Sequence, residues 1–162
     1  MIIDSHCHLH DPVFEDLRET VSRAITHDVW GVIAVGCDPP TNERVLRASA
    51  QHPKAVWACL GYHPEWRELD GEALEQVEAQ VAAHHYRIVA LGEVGLPWYS
   101  LEKLGNVAEV MARARERLGR LLELAHRYDL PVVLHAPHDA AAEALGLLKQ
   151  NGIERAVFHW HK

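Results

Sequence analysis

Six short apolar runs recur along this chain, and most are rich in β-branched residues. They are Ile2-Ile3-Asp4-Ser5, Val32-Ile33-Ala34-Val35, Val56-Trp57-Ala58-Cys59-Leu60, Ile88-Val89-Ala90-Leu91, Val132-Val133-Leu134 and Ala156-Val157-Phe158. Runs of this length and make-up predict buried strands rather than helices. Their continuous apolar character, without alternation, predicts parallel strands covered on both faces. Helical periodicity fills the gaps. Val13 to His27 places Phe14, Leu17, Val21 and Ile25 on one stripe, and Asn42 to Gln51, Glu72 to His84 and Val107 to Arg127 follow. Asp139 to Gln150 opens at Asp139 as the expected N-cap and stops before Asn151-Gly152. A repeated βα order predicts one α/β domain whose parallel strands are joined by right-handed crossovers.

Composition removes the other classes. The 162 residues are 48% hydrophobic and 24% charged, which excludes a disordered chain. No apolar run approaches the roughly 18 residues of a membrane helix, so no membrane partner is expected. Met1-Ile2-Ile3-Asp4 lacks a basic, apolar leader, and a cytoplasmic location is expected. A net charge of −7 gives no global pull toward nucleic acid or membrane. Cys7, Cys37 and Cys59 are too few and too scattered for a disulfide framework or a zinc knuckle. The outlying number is 13 histidines.

Several of these histidines stand where strands end. The first strand runs into His6-Cys7-His8, where side chains two apart share a face. The fourth runs into Gly92-Glu93-Val94-Gly95, the fifth into His135 and the sixth into His159. Parallel α/β sheets carry their active sites at this carboxyl end. One histidine at a strand end is ordinarily structural. Four histidines and a glutamate at equivalent ends form a metal-binding pattern. The set is too large for one tetrahedral ion with an open position. It suits two divalent ions (Zn, Mn, Mg, Fe or Ni) about 3.5–4 Å apart that share the carboxylate.

The motifs Asp4-Ser5-His6-Cys7-His8-Leu9, Gly61-Tyr62-His63-Pro64, Gly92-Glu93-Val94-Gly95-Leu96, Leu130-Pro131-Val132-Val133-Leu134-His135 and Val157-Phe158-His159 occur in this order. Together they resemble the TatD family of metal-dependent hydrolases, within the amidohydrolase-like superfamily. The resemblance covers essentially the whole chain. It implies a (β/α)₈ barrel of the TIM type. It implies His6 and His8 on one ion, Glu93 as the bridging catalytic carboxylate, and His135 and His159 on the second ion. His63 would line the pocket near a substrate phosphate. The implied reaction is two-metal hydrolysis of a phosphoester, with DNA ends among the substrates, as in a deoxyribonuclease. Two other readings stay open: an amidohydrolase- or phosphotriesterase-like hydrolase of a small molecule, and a catalytically incomplete metal-binding fragment. No lysine stands at a strand end before Lys162, which favours a glutamate bridge over a carboxylated lysine.

The chain departs from the family at three points. Pro97 stands where many members have Asp, Ala136-Pro137 where a small residue and Arg are common, and Trp160-His161-Lys162 where an aromatic and a glycine turn are common. The missing Arg removes a phosphate contact, which points to a divergent branch. Other features read as structural. Trp30 and Trp57 are expected in the core, and Cys7 on the face opposite its neighbours. Arg113, Arg115, Arg117 and Arg120 interleave with Glu109, Glu116 and Glu123 as a solvated helix face. His27, His52, His84, His85 and His126 fall at helix ends, where the dipole favours a cation. Trp66, Trp98, Tyr99 and Trp160 lie near the mouth, where they pack over the site or stack on bases.

A full barrel takes about 250 residues, roughly 31 per unit. Strand ends near residues 5, 36, 60, 92, 135 and 159 therefore account for six of eight units, the N-terminal two-thirds of one domain. A C-terminal truncation is expected on this count, with open edges that allow self-association. In the family a further Asp ligand lies on a later strand, and no residue of this chain takes that role by motif. Weak or absent turnover is expected of the chain alone.

Overall fold

All six apolar runs form strands, and the strands pair in parallel in the order of the sequence. They are β1 (Ile2–Cys7), β2 (Val29–Val35), β3 (Val56–Leu60), β4 (Ile88–Gly95), β5 (Val132–His135) and β6 (Ala156–His159). Helices fill the connections: α1 (Leu17–Thr26), α2 (Pro39–Gln51), α3 (Gly71–His84), the short α4 (Leu101–Leu104) with α5 (Val107–Arg127), and α6 (Ala140–Gln150). This computed structural model describes residues 2–14, 16–65 and 71–159; Trp66, Trp160, His161 and Lys162 lie outside them. The arrangement is a (β/α) barrel of the TIM type carrying six of its strands.

Successive buried residues of the central strands join different clusters, one on each face of the sheet. Ala34, Ala58, Leu60, Leu91, Val132 and Leu134 join a large core with the apolar stripes of the helices. Their neighbours Val35, Cys59, Ala90 and Val133 form a second, smaller cluster on the opposite, inner face. Both faces of the central strands are thus apolar, as continuous rather than alternating runs require. The stripe of α5 shows the helical side of this packing, with Ala114, Leu118, Leu121, Leu122 and Ala125 buried at three- and four-residue spacing.

Helix starts depart from the periodicity because capping decides them. α1 starts at Leu17 rather than Val13: the Asp16 carboxylate accepts the Glu19 amide at 2.9 Å, and Pro12–Phe14 forms a separate 3₁₀ turn. α2 starts at Pro39, three residues early, because Asp38 and Thr41 cap each other reciprocally and proline suits the first helical position. Asp139 precedes α6 but makes no side-chain cap bond; its φ of −66° and ψ of −19° are already helical. Trp30 is a correction: at the start of β2 it is 49% exposed, outside the core. Trp57 is half-buried and lies over Gly31, where a β-carbon would come within 2.1 Å of its ring.

The arginines of α5 are partnered on the surface: Arg113 with Glu109, Arg115 with Glu143, and Arg120 with Glu78 at 2.7 Å. Among the described residues no helix is long and apolar enough to cross a membrane. The carboxyl ends of β1 and β6 approach each other across the inner face. The rings of His6 and His159 stack there, centroids 3.4 Å apart and planes 5° from parallel.

Candidate metal centre

Glu93 sits at the centre of the carboxyl-end cluster and is only 1% exposed. Two glycines let the strands close around it. A β-carbon on Gly61 would lie 2.2 Å from the Glu93 amide nitrogen, and one on Gly92 would lie 2.6 Å from Cβ of Val133. The carboxylate faces four imidazoles. Oε2 lies 3.2 Å from His6 Nε2 and 3.6 Å from His8 Nε2. Oε1 lies 2.7 Å from His135 Nδ1 and 3.6 Å from His63 Nε2. Burial alone would raise the Glu93 pKa. Its contacts with His135, His6 and His63 outweigh burial and hold it well below the usual carboxylate range.

The donor atoms form two triads that share this carboxylate: His6, His8 and Glu93, and His63, Glu93 and His135. In the first, the two Nε2 atoms are 3.3 Å apart. The three edges of 3.2, 3.3 and 3.6 Å match the roughly 3.3 Å between ligand atoms of a four-coordinate ion with 2.0–2.1 Å bonds. The His6 Nδ1 atom is buried without a hydrogen-bond partner. The donor set and these spacings fit a divalent ion. In the second triad the 2.7 Å contact of His135 with Glu93 is a hydrogen-bond distance.

At His8 and His63, outer contacts fix which nitrogen turns inward. His8 Nδ1 lies 3.2 Å from the Val35 carbonyl and 3.6 Å from Cys37 Sγ, so Nε2 is left for the cluster. Burial, then His6, lowers the His8 pKa, which favours the neutral form an ion needs. His63 differs. Its Nδ1 accepts the Glu65 amide at 3.3 Å, so the neutral ring carries its proton on Nε2 and presents a donor to Glu93. That geometry suits contact with an anionic oxygen. His159 enters neither triad and stacks on His6, and burial followed by repulsion from His6 lowers its pKa. Cys7, between the two β1 histidines, packs against the large core instead.

Two residues that sequence reading passed over hold the site together. Glu65 follows His63-Pro64, and its carboxylate meets His135 Nε2 at 3.1 Å. Asn42 is fully buried and hydrogen-bonds both backbone groups of Gly61. A carboxylate two residues after a strand-end histidine was the one available signal for Glu65. Nothing local marks Asn42. At the mouth, the Trp98 ring lies 5.3 Å from that of His138, and the exposed Tyr99 ring lies 6.3 Å from His135.

Comparison with known proteins places this geometry. A family model described as TatD related DNase matches residues 3–162. A Haemophilus influenzae protein described as an uncharacterized metal-dependent hydrolase is 33% identical over 162 residues, covering all of this chain and 62% of the relative. Escherichia coli YjjV, described in the same words, is 34% identical over 144 residues, 86% of this chain and 53% of the relative. The chain therefore spans less than two-thirds of the length of these relatives. The crystal structure of YjjV, a TatD homolog, superposes with a TM-score of 0.80 at 30% identity over 94% of this chain and 56% of its own. A TatD-family hydrolase from Entamoeba histolytica shares the fold, with a TM-score of 0.72 at 20% identity, over 93% of this chain and 54% of its own.

Proposed function

This chain belongs to the TatD-related family of metal-dependent hydrolases, and from that premise we propose that it serves hydrolysis of phosphoester bonds with two divalent ions held around Glu93. The observation that carries the reading is Glu93 itself: a buried carboxylate whose two oxygens each face two imidazoles. A group so placed gives one negative charge to two cation sites at once. His6 and His8 would hold one ion through Nε2. His135 would hold the other through Nδ1, with His159 close by. Divalent ions bound there supply the Lewis acidity that acidifies a water and neutralises charge developing on the ester.

The remaining work falls to the chain's own side chains. His63 Nε2–H is positioned to donate to a phosphate oxygen. Trp98 and Tyr99 form a wall beside His138 and His135 that would offer a face to a planar leaving group. DNA ends are one such substrate. A second reading has its own support: Ala136 and Pro137, both buried, follow His135 where the family often carries Arg. That favours a small-molecule phosphoester or amide over a long nucleic acid. We also place the protein in the cytoplasm, since its free thiols Cys7, Cys37 and Cys59 suit a reducing compartment.

The test is metal content together with turnover of a chromogenic phosphodiester, an amide and a DNA end by the same preparation. About two Zn²⁺ or Mn²⁺ ions per chain are expected, falling in His6→Ala and Glu93→Ala. Less than about one ion per chain, unchanged by both substitutions, removes the reading.

A further inference from the structure

Glu65 ties the ends of three successive strands. It lies in the loop after β3. Its Oε1 accepts the amides of Trp98 at 2.7 Å and Tyr99 at 3.0 Å, in the segment after β4. Its Oε2 accepts the Ser100 amide at 2.8 Å and the Ser100 hydroxyl. Oε1 also meets Nε2 of His135, at the end of β5, at 3.1 Å. A carboxylate engaged by three backbone amides and a hydroxyl is held in place, and it has no spare lone pair for a substrate. Its freedom to act as a base is gone; its fixed position is what it offers.

His135 is therefore gripped at both ring nitrogens, Nδ1 by Glu93 at 2.7 Å and Nε2 by Glu65 at 3.1 Å. A histidine that holds a metal through one nitrogen almost always donates its other N–H to a carboxylate, carbonyl or water, which fixes tautomer and ring orientation. We propose that Glu65 is the positioning residue for His135: its carboxylate accepts a hydrogen bond from Nε2–H and leaves the Nδ1 lone pair turned to the cluster. His8 is set by the same logic through the Val35 carbonyl, a neutral outer partner where that of His135 is a carboxylate. That partner also anchors the Trp98–Ser100 wall, so the metal ligand and the substrate face are fixed by one side chain. The inference rests on the reading that His135 holds an ion.

The experiment measures Zn²⁺ affinity by competition with a chromophoric chelator, using the full chain and its Glu65→Ala, Glu65→Gln, Ser100→Ala and His135→Ala variants. Ring nitrogen-15 shifts of His135 are recorded on the Zn²⁺-loaded protein. Glu65→Ala weakens one bound ion by about ten- to a hundredfold, as loss of such outer partners does, and the His135 ring loses its fixed Nε2 proton. Glu65→Gln, whose amide oxygen still accepts from Nε2–H, recovers most of the affinity. Ser100→Ala removes one grip on Glu65 without touching His135 and leaves affinity within about twofold. Wild-type affinity in Glu65→Ala, with affinity lost in His135→Ala, overturns the proposal and keeps His135 as a ligand. Wild-type affinity in His135→Ala overturns the ligand reading, and the proposal with it. An equal loss in Ser100→Ala and Glu65→Ala assigns the effect to the wall alone and overturns the role at His135. If Glu65→Ala does not melt cooperatively, the Glu65→Gln shifts decide: an unchanged Nε2 proton supports the proposal, and a proton moved to Nδ1 overturns it.

Discussion

The side-chain amide of Asn42 pairs with the backbone of Gly61 in both directions, donating to its carbonyl at 3.0 Å and accepting from its amide at 3.0 Å. It also donates to Gln80 Oε1 at 3.1 Å, so one residue of α2 pins the end of β3 and the flank of α3. Gly61 in turn lies against the Glu93 backbone. Asn42→Ala strands two buried backbone groups, at about 1–3 kcal/mol each. The expected loss is roughly 2–6 kcal/mol of unfolding free energy in a denaturant titration. Gln80→Ala removes one of these three contacts and the Gln80 bond to the Pro39 carbonyl, leaves the Gly61 pair intact, and costs less. A loss below about 0.5 kcal/mol in Asn42→Ala contradicts this account.

Gly61→Ala tests the close approach of β3 to β4. The new methyl would sit 2.2 Å from the Glu93 nitrogen and 2.4 Å from the Gly92 carbonyl carbon, both backbone atoms that cannot swing aside. The strands must separate, at about 1–3 kcal/mol or more, and Glu93 moves with them. A weaker ion site is expected alongside lower stability. Gly119→Ala in α5 is the contrast, since nothing lies within 4 Å of its added methyl. There the helix gains about 0.5–1 kcal/mol. Melting curves that move in the same direction for both variants count against the packing argument.

The strand order and the strand-end histidines were legible because both depend on local pattern. Short β-branched runs mark the strands; His6, His135 and His159 each follow one directly, and Glu93 follows one after a single glycine. Helix starts were less legible, because Asp16 and Asp38 decide them by hydrogen bonds that hydrophobic spacing does not encode. Trp30 was misplaced because it precedes the apolar run, at the amino end of β2, where an aromatic residue says nothing about whether it is covered. Glu65 was passed over for a different reason. Its partners stand 33 to 35 residues away at Trp98, Tyr99 and Ser100, and 70 away at His135. Only the curl of the barrel brings those strand ends together. The same curl stacks His159 on His6, while His63 stands with Glu93 and His135.

The metal-free protein carries a defined pH signature. Burial alone would raise Glu65, but hydrogen bonds from His135, Ser100, Trp98 and Tyr99 pull it from 4.5 to about 2. A carboxylate lowered on folding adds stability above its unfolded value, and that stability is lost as pH falls from about 4.5 through about 2. Burial alone would lower His135, but Glu65 and Glu93 outweigh it and raise its pKa from 6.5 to about 9. Its contribution is complete below about 6.5 and is lost as pH rises through about 9. Melting temperatures of the metal-free chain should therefore fall along both limbs, and Glu65→Gln should flatten both. A wild-type melting temperature that stays level from pH 6.5 to 9 contradicts the paired state of His135.

Tyr99 separates a nucleotide-sized substrate from a small one. Tyr99 is 52% exposed, and its ring lies 6.1 Å from that of His138 and 6.3 Å from that of His135, at the rim of the site. Its backbone amide is already fixed by Glu65, so Tyr99→Ala should leave the wall's path intact while removing the face. Stacking of a base on an aromatic ring is worth about 1–3 kcal/mol. If the substrate places a base there, KM for a dinucleotide rises by roughly 5- to 150-fold in Tyr99→Ala. The kcat stays close to wild type, because the interaction is the same in the ground and transition states. A dialkyl phosphodiester, which has no ring to stack, should show the same KM in both proteins. An unchanged KM for the dinucleotide turns the choice toward the small-molecule reading, in which Tyr99 only packs against His138.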